Sequence, residues 1–168
     1  IATSLVQHAA ALATIVRGGV YRRPYMLEDV GREGTFIGLR PSEEHRVFSE
    51  RTCDEVRAMM ALGAREGTGQ PVFVEGIGLS TKTGTAEKSG AGGYRRRALL
   101  SSFIGAFPTD EPRYVVFALL DEPKGTKKTH GYANGGWVAA PIVGRVVQKI
   151  GPIAGIRPYD PELPPIRR

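Results

Sequence analysis

The stretch 114–121 reads Tyr-Val-Val-Phe-Ala-Leu-Leu-Asp, and its apolar residues do not alternate with polar ones. Side chains of a strand point alternately to its two faces, so a strand of this composition needs cover above and below. Helices on both sides of a sheet supply that cover. Just upstream, 99–107 (Leu-Leu-Ser-Ser-Phe-Ile-Gly-Ala-Phe) forms a second strand candidate, joined to the first through Pro108-Thr109-Asp110-Glu111-Pro112. A connection that short, built of turn-forming residues, pairs the two strands antiparallel. A third strand is expected over 76–86. The sequence therefore predicts an α/β chain of the α+β type, an antiparallel β-meander flanked by helices.

Helical patterns fall where that cover is needed. Ser4 and Gln7 form a Ser-x-x-Gln capping box ahead of Leu5, Ala9, Leu12, Ala13 and Val16, and Gly18-Gly19 ends the run. A second helix is expected from about 49 to 63, with Cys53, Val56, Met59 and Met60 on one side and both methionines as core filler. Between them, 20–47 reads as extended connectors or short strands. After Pro141, the stripe Ile142, Val143, Val146, Val147 and Ile150 predicts a helix across one sheet face, with Trp137 as a packing anchor at its start. Arg95-Arg96-Arg97 is expected in a solvated loop, and the Pro-rich tail 151–168 in extended chain beyond its first few residues.

Composition removes several functions. The chain has 168 residues, enough for one domain, and a net charge of +6, but its basic residues are scattered and match no nucleic-acid-binding module. No apolar run approaches the roughly 20 residues of a membrane span, and the start carries no signal-peptide pattern. The first residue is Ile1 with no initiator Met, so the chain is expected to be a fragment of a longer protein. Cys53 is the only cysteine, and His8, His45 and His130 lack metal-ligand spacing. No metal and no cofactor are expected.

The chemistry concentrates in Lys82-Thr83-Gly84-Thr85-Ala86. A strand edge exposing Lys82, Thr83 and Thr85 places one ammonium and two hydroxyls around an anionic group, and Gly84 lets a ligand approach the backbone. Four such residues alone also describe an ordinary edge strand with a solvated Lys and β-favouring Thr. Serine acyl-transfer enzymes with this motif also use Ser-x-x-Lys and Ser-x-Asn. Neither occurs in these residues: no serine has a Lys three positions on, and the only asparagine, Asn134, follows Tyr-Ala. The chain holds a substrate-binding wall and no nucleophile.

The flanking residues decide between those readings. Gly67-Thr68-Gly69, Glu75-Gly76-Ile77-Gly78-Leu79-Ser80-Thr81, the Lys82 motif, Ser101-Ser102-Phe103-Ile104-Gly105-Ala106-Phe107-Pro108 and Pro112-Arg113-Tyr114-Val115-Val116 follow one another in order. This succession resembles the C-terminal part of the transpeptidase domain of class B penicillin-binding proteins. Gly135-Gly136-Trp137-Val138-Ala139-Ala140-Pro141-Ile142 is similar to that family's final loop and helix, and favours its septal cell-division (FtsI-type) branch. A serine β-lactamase shares the Lys-Thr-Gly wall, but these contexts look more like the transpeptidases.

The resemblance implies a partial penicillin-binding transpeptidase fold over 1–150, followed by a tail over 151–168. It implies a parent D,D-transpeptidase whose serine attacks the penultimate D-alanine carbonyl of a peptidoglycan stem peptide and is acylated by β-lactams. That serine and the motifs Ser-x-x-Lys and Ser-x-Asn would precede residue 1, leaving this piece inactive alone. Lys82 would set the electrostatics of the site, Thr83 and Thr85 would bind the donor's terminal carboxylate, and the Thr85 backbone N–H would be one oxyanion-hole donor. Thr81 departs from the family pattern, which more often has Gly before the Lys. Further expectations are a location on the outer side of a bacterial inner membrane, divisome proteins as partners, no nucleic acid, and self-association through an exposed sheet edge. The alternative is a non-catalytic divisome interaction module that retains the fold.

Overall fold

Strand β5 (Ser80–Gly90) pairs antiparallel with β6 (Gly93–Phe107), and β6 with β7 (Tyr114–Asp121), in the sheet order β5-β6-β7. The expected meander is thus present in the computed structural model, which describes residues 3–26, 29–32, 35–38, 43–69, 72, 74, 76–90 and 92–156. Ahead of it lie α1 (Leu5–Val16), β1 (Val20–Tyr21), β2 (Asp29–Arg32), β3 (Thr35–Gly38), β4 (His45–Arg46) and α2 (Glu50–Glu66). After it come α3 (Gly135–Val138) and α4 (Ala140–Ile153). The connector 20–47 supplies two small antiparallel ladders, β1 with β4 and β2 with β3.

The sheet has one helical layer on each face. On the first, Phe103 and Phe107 of β6 meet Val143 and Val147 of α4, with Val116, Ala118 and Leu120 of β7 alongside. On the second, Ile104 and Ala106 of β6 and Val115 of β7 meet Leu12 and Val16 of α1 and Met60 of α2. His8 of α1 also stacks on Phe117 with ring centroids 5.4 Å apart. Consecutive apolar residues in 114–121 thus serve two different helical layers, and the period of two sorts them.

Local chemistry fixes the helix ends. The Ser4 hydroxyl accepts from Gln7 N–H while the Gln7 side chain accepts from Ser4 N–H, the reciprocal box expected from the sequence. Gly19, at φ +89, has no space for a Cβ, which would run into the Phe48 carbonyl, so the chain turns there directly over Cys53. Burial and the negative charge of Asp54 push the Cys53 thiol up from its ordinary pKa.

Several expected boundaries move. The strand placed at 76–86 begins only at Ser80, because Gly76 turns at φ +73 and Val74 bridges to Ile77. Arg95, Arg96 and Arg97 lie within β6 and not in a loop: the hairpin closes tightly at Gly90 and Gly93, and a bulge opposite Glu87 to Ser89 takes up the extra residues, with Arg97 at φ +67. Helix α2 passes Gly63 and ends at Glu66, since the Gly63 carbonyl accepts from both Gly67 and Gly69. Met60 reaches the core but Met59 is 62% exposed, so only one methionine is filler. Helix α4 runs through Pro152 to Ile153, and Ile156 packs on the core beyond it. The rest of the expected tail, 157–168, lies outside the described residues.

Candidate active site

Lys82, Thr83, Gly84 and Thr85 all lie on β5, at one end of the sheet order, so one side of this strand has no neighbour within the sheet. The period of two divides their side chains. Thr83 and Thr85 face the α4 side with their cross-strand partners Phe103 and Ser101, whereas Lys82 and Gly84 face the α1 side with Ile104 and Ser102. A Cβ at Gly84 would meet the Ser102 hydroxyl oxygen at 2.5 Å, so this position accepts no larger residue without movement of Ser102. Lys82 is exposed, and its Nζ donates to the Thr83 carbonyl at 2.7 Å. The cation therefore folds over the strand backbone and brings its charge near the threonines from the opposite face.

Both threonine hydroxyls have fixed partners. Thr83 Oγ1 lies 3.2 Å from Thr68 Oγ1, in the Gly67-Thr68-Gly69 loop that follows α2. Thr85 Oγ1 accepts from Gly135 N–H at 3.2 Å. That amide stands at the start of α3, where Asn134 caps the helix by accepting from Trp137 N–H at 3.3 Å. Ser101, directly across the ladder from Thr85, is buried and donates to the Ala133 carbonyl at 2.5 Å. The 133–135 turn is thus held on the sheet at two adjacent points.

Thr81, the departure from the family pattern, is 5% exposed and lies under the loop. Its hydroxyl fills the place where a Cβ at Gly69 would sit, and its methyl lies over Gly105. It points into packed structure and does not narrow the exposed edge. Trp137, expected as a packing anchor, is 37% exposed and meets Tyr132 (5.8 Å, stacked) and His130 (5.5 Å, edge-on), so it joins the helix start to the preceding loop at the surface.

At the far end of the hairpin, Lys88 Nζ bonds Asp121 at 2.7 Å and Glu122 at 3.1 Å. Those two hydrogen bonds raise the Lys88 pKa above its ordinary value. Arg95 also approaches Glu122, at 3.5 Å. The cations at that end are thus partly tied to acids on β7 and just after it, while Lys82, among the described residues, bonds the Thr83 carbonyl.

Thr68, Ser101 and Gly135 were not singled out as site residues from sequence. For Gly135 a signal existed: a lone Asn followed by Gly-Gly and an apolar helix is an N-cap pattern, and caps leave free amides beside them. Ser101 carried none, since its partner lies 32 positions away. Among the described residues, cavities apart from β5's motif include one of about 330 Å³ between α1 and the Tyr21–Pro24 and Val47–Phe48 segments and one of about 70 Å³ beside Val72 and Leu79. Among the described residues there is no group of His, Cys, Asp or Glu able to hold a metal, and no helix long and apolar enough to cross a membrane.

Similarity to known proteins extends over most of the chain. The family model described as penicillin binding protein transpeptidase domain matches residues 1–148. Stage V sporulation protein D of Bacillus subtilis is 36% identical over 161 residues, covering 94% of this chain and 24% of that protein. The probable peptidoglycan D,D-transpeptidase FtsI of Caulobacter vibrioides is 42% identical over 129 residues, covering 71% and 22%. The chain spans about a quarter of the length of these curated relatives. Among solved structures, penicillin binding protein 3 of Mycobacterium tuberculosis in complex with ampicillin superposes with a TM-score of 0.82 at 25% identity, covering 98% of this chain and 38% of that one.

Proposed function

Because the chain belongs to the penicillin-binding protein transpeptidase family, on its FtsI-like branch, we propose that it forms the Lys-Thr-Gly-Thr side of the active site of a serine D,D-transpeptidase that cross-links peptidoglycan during septation. The observation that carries this reading is the placement of Lys82, Thr83 and Thr85 on an edge strand, with both hydroxyls tethered and the cation folded over the same backbone.

The roles follow from that placement. The donor's terminal carboxylate accepts from the Thr83 and Thr85 hydroxyls, with Lys82 supplying the positive potential that favours an anion there. In a strand, the N–H and C=O of one residue point the same way and alternate with those of the next. Thr83, whose carbonyl takes the Lys82 ammonium, and Thr85 share one direction, so the Thr85 N–H is available as an oxyanion-hole donor. A donor of this kind contributes about 3 kcal/mol to transition-state stabilisation.

The serine that attacks the penultimate D-alanine carbonyl, breaks its C–N bond to terminal D-alanine and passes the acyl group to an amine of another strand comes from the parent protein outside these residues. The chain through the end of α4 and Ile156 is then the C-terminal portion of the transpeptidase domain. The stem peptide and β-lactams are the ligands, the outer face of the bacterial inner membrane is the location, and divisome proteins are the partners.

Fluorescent penicillin tests this. The full-length protein that carries this segment should give a labelled band that survives denaturation, and Lys82→Ala should weaken it about tenfold or more. The isolated 168-residue chain should give none. A full-length protein that never labels would favour the non-catalytic divisome module, and a labelled isolated chain would place an activated serine within these residues.

A further inference from the structure

Building on the function proposed above, the geometry points to Ser101 as a positioning residue that aims the Thr85 hydroxyl through the Ala133–Gly135 turn. Thr85 and Ser101 are directly paired across β5 and β6 and share the α4 face. Ser101 is fully buried, and its one hydroxyl proton goes to the Ala133 carbonyl at 2.5 Å. Two residues on, Gly135 N–H donates to Thr85 Oγ1 at 3.2 Å. Gly135 can lie there only as glycine, because a Cβ would overlap the carbonyl oxygens of Ser102 and Gly84. The turn therefore rests on the strand backbone itself, anchored by Ser101 on one side and bonded to Thr85 on the other.

The consequence concerns a single proton. A hydroxyl has one donor and two acceptor sites. With Gly135 N–H occupying one lone pair, the Thr85 proton is turned away from the turn, toward the exposed side of the residue. A ligand carboxylate arriving there meets a hydroxyl already oriented to donate. Without the Ser101 anchor, the turn and its amide are released and the Thr85 rotor is free, so the orientation must be paid for when ligand binds.

A double-mutant cycle on the full-length protein tests this, with the second-order rate of acylation by benzylpenicillin as readout. Ser101→Ala should lower the rate on the order of tenfold in the wild-type background. In a Thr85→Val background, which has no hydroxyl to aim, the same change should add no further loss. Asn134→Ala, which removes the α3 cap without touching a buried group, should show a smaller loss and the same dependence on Thr85.

Equal losses in both backgrounds would mean that Ser101 merely holds the fold together, and an unchanged rate for Ser101→Ala would mean that the turn does not aim Thr85. Either result overturns the proposal. A wild-type protein that is not acylated at all would instead overturn the transpeptidase reading on which it rests.

Discussion

At the scale of single residues, two buried serines of the sheet behave oppositely, and the difference is measurable. Ser101 is fully buried and bonded to a carbonyl, while Ser80, equally buried at the start of β5, has no hydrogen-bond partner for its hydroxyl among the described residues. An unsatisfied buried hydroxyl costs on the order of 1–3 kcal/mol. Ser80→Ala is therefore expected to leave stability unchanged or raise it by about 1 kcal/mol in urea unfolding; a clear loss would reveal a bonding partner for Ser80. The contrast also explains what a sequence discloses at this scale. Lys82, Thr83 and Thr85 are legible as a candidate site because four adjacent residues carry their chemistry together. Ser101 was not, because its role depends on Ala133, brought near only by the fold.

At the scale of elements, the α1 cap and the antiparallel meander were read from sequence, whereas the path of the β5–β6 hairpin was not. The Ser4–Gln7 box closes within one turn of α1 and forms as expected. Arg95 to Arg97 read as a loop because they follow several glycines, yet hairpin closure at Gly90 and Gly93 and a bulge opposite Glu87 to Ser89 drew them into β6. The C-terminal end of α1 offers a test of how elements are tied. Glu44, just before β4, bonds Arg17 at 2.8 Å and also pairs with Arg22, linking α1 to the strand pair beyond it. Hydrogen bonds from Arg17 and then Arg22 hold its carboxyl below the usual carboxylate pKa. A carboxylate with a depressed folded-state pKa contributes stability above its unfolded pKa and loses it as pH falls through the folded value. The urea midpoint should therefore drop on acidification from pH 7 by more in the native chain than in Glu44→Gln. The difference should be small, because these side chains are more than a third exposed and solvent screens them. Identical pH profiles for the two proteins would show that the triad is not formed in solution.

At the scale of the whole molecule, the sheet order β5-β6-β7 leaves two edges with different burdens. The β5 edge is polar, carrying Lys82 and the threonines, and suits a ligand in water. The outer side of β7 pairs with no strand among the described residues, although the strand is apolar along most of its length and Leu119 is 39% exposed. A row of unpaired amides and carbonyls beside apolar side chains is a template for another strand. The chain covers 38% of the Mycobacterium tuberculosis penicillin binding protein 3 chain, so a fold of this family has further residues with which such an edge can be covered. In the isolated chain a second copy is the available partner. Opposing that contact is the net charge of +6, whose repulsion acts over roughly 10 Å at 0.1 M salt and less at higher salt. Light scattering should therefore show association that grows with protein concentration and is strengthened by salt. Leu119→Lys, which places a charge on the edge strand, should suppress it without altering Lys82, Thr83 or Thr85. A chain that stays monomeric at high concentration and high salt would mean that β7 is covered from within, and association untouched by Leu119→Lys would move the contact to another surface, with the apolar groove of Val6, Ala10 and Phe48 beside α1 the next to probe.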